Sequence, residues 1–253
     1  MVENQLSTAA LHPQRDGRLL LVMLLLGLLA VGTLGFTPLE TVLPPGMTLP
    51  RVVLLIQPAI FVILGTVLGW WLVPKTGLGA PVLTAMLDGR NWGGVLSAAA
   101  LPIAAVAVAS AAILVGYGLY VEGQFTLPGP MGTLQIPAIT RLGYGGIGEE
   151  LITRWGILTA LMAAALRLGL PRGAAFWTAN VIAAMLFAAG HLGLLFALVP
   201  HPPLWLVGMV MAGNVLPALG FGWLYRRCGI EAAMLGHAGA HLLALLAAVA
   251  GLG

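Results

Sequence analysis

The stretch Gly145-Gly146-Ile147-Gly148-Glu149-Glu150-Leu151-Ile152-Thr153-Arg154-Trp155 decides how this chain is read. The 253 residues include only eight Asp and Glu, and two of them are adjacent here. Arg154 stands at i+4 from Glu150, and the flanking sequence has the apolarity of a lipid-soluble helix. One such charge at the centre of a membrane helix costs about 2.5–3.5 kcal/mol on insertion scales. An apolar segment that keeps Glu149, Glu150 and Arg154 so close together has a use for them.

The surroundings make the membrane setting firm. The chain is 60% hydrophobic and 8% charged, with a mean hydropathy of +1.01. Soluble domains carry about 25% charged residues, so this is a polytopic membrane protein, all-α in class. The net charge of +3 comes without a basic cluster, which argues against nucleic-acid binding. A single cysteine, Cys228, excludes an intramolecular disulfide and a Cys-rich metal site.

About seven transmembrane helices are expected in one membrane domain, 1–253. A polar arm covers 1–18, and His12 in it reads as solvated. Spans follow at about 19–36, 52–73, 94–120, 136–166, 174–199, 204–225 and 231–252. Proline-rich loops are expected at 37–51 and 121–135, and His201-Pro202-Pro203 ends the fifth span. A short amphipathic interfacial helix is expected within 74–92. Spans within 1–135 carry no diagnostic motif, whereas 136–253 holds the ionisable residues.

Counting basic residues gives an orientation. With a cytoplasmic N-terminus, the inner segments carry Arg15 and Arg18, Lys75 and Arg90, Arg167 and Arg172, and Arg226 and Arg227. The outer segments carry Arg51 and Arg141. This agrees with the positive-inside rule.

The polar residues of the C-terminal spans form a candidate constellation. Glu150 and Arg154 are i, i+4 and can pair on one helix face. His237 and His241 have the same spacing, so both imidazoles point one way. Glu149 lies about 100° round from Glu150 on an ideal helix, which lets the two carboxylates take different roles. An i, i+4 histidine pair is the ligand spacing of zinc proteases, but no Glu stands between these two. The base would come from another helix, with Glu149 the candidate. His191 would be a third metal ligand or a donor to the reacting carbonyl. The structural alternatives are a buried ion pair for Glu150–Arg154, an interhelical hydrogen bond for His191, and interhelical bonding for Asn214.

Taken together, Glu149-Glu150-x-x-x-Arg154, Phe187-x-x-x-His191 and His237-x-x-x-His241, on successive helices, resemble the CAAX-protease and bacteriocin-processing (CPBP, Abi) family of intramembrane endopeptidases. The run from Gly220 to Ile230 adds to the resemblance, which covers about 142–245. It implies that Glu149 activates water, with His191 and His237 at the two conserved histidine positions. Position 241 is usually Asn in the family and contributes to the oxyanion environment; here it is His. Thr153 and Trp155 also depart from the commonest form of the first motif. The resemblance leaves open whether the mechanism uses Zn2+, which His191, His237 and His241 would hold, or a metal-free glutamate. It implies a bacterial inner-membrane protein that cuts a membrane-associated protein or peptide. Two rivals remain at this level: an immunity or partner-binding protein of the same fold, and a transporter using the carboxylates as a proton relay.

Overall fold

The computed structural model describes residues 16–38, 50–124, 136–199 and 201–251, and all its regular structure is helical. The arm up to residue 15, with His12 and Arg15, and the proline-rich segments 39–49 and 125–135 lie outside those residues. Helix α1 is Gly17–Gly32, continued by a 3-10 turn, Thr33–Phe36. Helix α2 is Arg51–Thr76, α3 is the short Pro81–Leu87, and α4 is Trp92–Gln124. Helix α5 occupies 138–167 without a break. It is followed by α6, Arg172–Leu198, α7, Leu204–Cys228, and α8, Ile230–Val249.

Six of these (α1, α2, α4, α6, α7 and α8) are long and apolar enough to cross a membrane. The chain is an integral polytopic membrane protein. Large apolar side chains such as Leu29, Leu101 and Val249 point outward, where lipid rather than water is the solvent. The sequence itself punctuates the helices. Pro50, Pro171 and Pro203 precede α2, α6 and α7, in keeping with the restricted φ and missing N–H of proline. Gly77, with φ 72°, ends α2 in the left-handed region that favours glycine.

Helix α5 is the one the others surround. Its first half packs on α1 and α8, and its second half on α2 and α6. Leu151, Trp155 and Leu158 have no exposure. Close approach is possible because glycines face α5: a Cβ on Gly65 of α2 would meet the Leu151 carbonyl oxygen at 2.8 Å. Trp155 then reaches across to donate its indole N–H to the Thr66 carbonyl, 3.0 Å away.

The two ends of the bundle differ in charge. At one end Arg18 pairs with Asp16 and Asp88, and Arg90 with Asp88. Arg172 donates to the Thr76 carbonyl there, and Glu231 accepts from the Leu83 N–H at 2.7 Å. The short helix expected within 74–92 is α3, held at this end by that carboxylate. At the other end Thr140 donates to the Thr33 carbonyl and Thr37 to Thr140.

Candidate active site

Helix α5 is not a regular α-helix. Arg141–Gly148 and Leu151–Leu158 are π-helical, and Glu149 and Glu150 sit at the junction of the two segments. π-helical turns are uncommon and recur at functional sites. The glycines of the opening stretch let this wider helix lie against α8. A Cβ on Gly146 would come within 2.7 Å of the Ala238 Cβ, and one on Gly145 within 3.1 Å of His241 Nε2.

The Glu150–Arg154 pair forms as the i, i+4 spacing predicts, with Arg154 Nη1 donating to Glu150 Oε1 at 2.9 Å. Both side chains are sealed from solvent, at 0% and 2% exposure. Arg154 also donates to Thr153 Oγ1 at 2.7 Å and to the Ala218 carbonyl at 3.0 Å, which ties α5 to α7. Its guanidinium lies over the Phe187 and Phe221 rings, 4.9 and 5.5 Å from their centroids. A buried ion pair requires this much support, because desolvation otherwise outweighs the attraction.

The structure adds a relationship that helical spacing alone did not give. Glu150 and Glu149 address the same imidazole from two sides. His237 Nδ1 lies 2.8 Å from Glu150 Oε1, and His237 Nε2 lies 3.9 Å from Glu149 Oε2. A carboxylate only accepts, so Nδ1–H donates to Glu150 and a neutral ring presents its Nε2 lone pair toward Glu149. Phe221 stacks on His237 at 4.5 Å and 16°, and His241 stacks on it at 4.9 Å and 27°. The ring is thereby fixed in both tautomer and plane.

His191 donates or accepts at Nδ1 with the Phe187 carbonyl, 2.9 Å away. A carbonyl can only accept, so Nδ1 carries the proton and Nε2 is left with a lone pair. Phe187 packs edge-on against this ring at 4.7 Å. Glu149, His191, His237 and His241 all line one cavity of about 470 Å³, mostly apolar in its walls. Glu150 and Arg154 do not line it.

Asn214 was expected between helices, but its Nδ2 donates to the Val210 carbonyl of its own helix and the residue lines the cavity. The interhelical amide is instead Asn180, which donates to the Leu219 carbonyl at 3.1 Å. Sequence reasoning also passed over Phe221 and the Ala218 carbonyl as partners of His237 and Arg154. His201 is exposed, as expected.

For a metal, the expected ligands were His191, His237 and His241. Among the described residues no three His, Cys, Asp or Glu side chains converge as a group able to hold an ion. His237 and His241 stack with their ring centroids 4.9 Å apart.

Residues 133–243 match the family model described as Type II CAAX prenyl endopeptidase Rce1-like. Over that stretch the chain is similar to the Rce1-like CAAX-protease (Abi) family, and all six site residues fall inside it. No curated protein and no solved structure matches the chain.

Proposed function

We propose that this protein is an intramembrane endopeptidase that hydrolyses a peptide bond of a membrane-associated protein or peptide with water activated by Glu149. The observation that carries this reading is the pair of acceptors facing each other at the cavity wall. Glu149 Oε2 and His237 Nε2 are 3.9 Å apart, too far for a direct hydrogen bond and suited to a water that donates to both.

Glu149 takes a proton from that water as its oxygen attacks the carbonyl carbon. The resulting tetrahedral intermediate bears an oxyanion. His191 and His241 line the same cavity and can stabilise it by hydrogen bonding when protonated on the facing nitrogen. Collapse breaks the C–N bond, and the proton held by Glu149 passes to the leaving amine. Glu150 and Arg154 stay out of the reaction: one orients His237, and the other neutralises the buried carboxylate and links α5 to α7.

The lipid bilayer is the setting, with the N-terminus on the cytoplasmic side of a bacterial inner membrane. The eight basic residues of the alternate segments, against two on the others, support that orientation. The test is incubation of the purified protein with solubilised membrane polypeptides in heavy-oxygen water. New C-terminal carboxylates carrying one heavy oxygen, absent with Glu149→Gln, are expected. Equal labelling by both proteins would remove the mechanism.

A further inference from the structure

The cavity is not central along the bundle axis. Thr37, Ile136, Thr140 and Arg141 line it, and all four belong to the end where α1 finishes and α5 begins. From α6 it takes Phe187, His191 and Leu194, and from α7 Gly213, Asn214, Pro217 and Phe221, so that it reaches from mid-bundle to that end. No residue of the basic end lines it: the 74–92 segment, the 167–172 turn and the 226–231 turn are all absent from its walls. Glu149 lies eleven residues into α5, about 15 Å below the start of that helix at the usual rise. The cavity therefore leads from Glu149 toward the end that holds Arg51 and Arg141, away from the end that gathers Arg18, Lys75, Arg90, Arg172, Arg226 and Arg227.

Resting on the peptidase reading above, we propose that the site takes its substrate from the non-cytoplasmic face of the membrane. The substrate class is a translocated, membrane-anchored polypeptide whose scissile bond lies about 15 Å or less beneath the outer boundary. A lipid-modified C-terminus presented from the cytoplasm would meet the basic end, whose residues do not line the cavity that holds Glu149. Arg141, which lines this end of the cavity and donates its Nε to the Ile136 carbonyl at 3.0 Å, suits a polypeptide chain entering from outside.

Sidedness and proteolysis are tested separately. In intact cells, with Cys228→Ala as background, a membrane-impermeant maleimide is expected to label Ile136→Cys at the cavity mouth. Leu168→Cys, 81% exposed at the basic end, is expected to react only after the membrane is permeabilised. The reverse pattern overturns the proposal whatever the protein's activity. In parallel, polypeptide N-termini that appear with the wild type and not with Glu149→Gln are mapped onto substrates of established topology. Termini at or beyond the outer boundary support the proposal, and termini on the cytoplasmic side overturn it. If no such termini appear, the peptidase reading fails, and the labelling alone decides from which face the cavity is reached.

Discussion

Glu150 Oε1 accepts from His237 Nδ1 at 2.8 Å, and this contact decides which nitrogen of the ring faces Glu149. The same oxygen accepts from Arg154 at 2.9 Å. One carboxylate atom thus joins three helices: its own, α8 through His237, and α7 through the bond from Arg154 to the Ala218 carbonyl. Glu150, the more buried of the two acids, does not line the cavity, and its less buried neighbour Glu149 does.

Removing Glu150 strands Arg154 in an apolar interior. Glu150→Ala is expected to destabilise the fold by about 3–5 kcal/mol, the usual consequence of breaking a buried pair on one side. Glu150→Leu combined with Arg154→Met is expected to recover much of that loss while leaving His237 free to turn and the protein inactive. Unfolding in mixed detergent micelles, followed by tryptophan fluorescence, measures both. A double variant no more stable than Glu150→Ala would show that the ion pair is not the source of the cost.

Glu149 sits apart from this network. Glu149→Gln is expected to lower hydrolysis by about a hundred- to ten-thousand-fold, the range general-base catalysis contributes, with unfolding unchanged. His237→Ala differs, because His237 is 5% exposed and its removal takes the donor from Glu150. It is expected to lose both activity and about 1–3 kcal/mol of stability. The pair of measurements separates a group that reacts from one that also holds the site.

His241 touches the site through its ring, stacked on His237 at 4.9 Å. His241→Asn is expected to keep activity within about tenfold, or 1.4 kcal/mol, since an amide can still hydrogen-bond an oxyanion. Chelators are expected to leave the wild-type rate unchanged, because the proposed mechanism holds the water on Glu149 and His237 alone. Stoichiometric zinc in the purified protein, lost together with activity in His241→Asn, would contradict both expectations.

The seam between α5 and α8 depends on Gly146. Gly146→Val puts side-chain carbons where the Ala238 Cβ and backbone already lie, at 2.7 and 3.1 Å from the first added atom. Overpacking of this kind costs about 1–3 kcal/mol. It also moves His237 away from Glu149, so activity is expected to fall further than stability. Circular dichroism and a rate measurement on one preparation check the two together.

Much of this was legible in residue type and spacing. The long apolar segments announced the spans, because lipid requires about 20 apolar residues to cross it. The i, i+4 relation of Glu150 and Arg154 survived even the π-helical geometry. The site was harder to read for two reasons. Spacing within a helix says which residues share its face and nothing about its rotation toward a neighbour, so Glu150 meeting His237 could not be derived. The π-helical widening at Arg141–Gly148 and Leu151–Leu158 has no simple sequence signature beyond its glycines. At the junction of these segments Glu149 and Glu150 approach one ring from its two nitrogens, at 3.9 and 2.8 Å. Asn214 misled for a related reason: a mid-span amide can satisfy itself on its own helix as readily as on another.

The central claim is that Glu149 activates the water that cleaves a peptide bond. Its most direct measurement compares polypeptide N-termini in membranes containing the wild-type protein or Glu149→Gln, at matched abundance and with folding verified. The account predicts a set of new N-termini produced by the wild type and lost with Glu149→Gln. The same termini at the same rate with Glu149→Gln would contradict it.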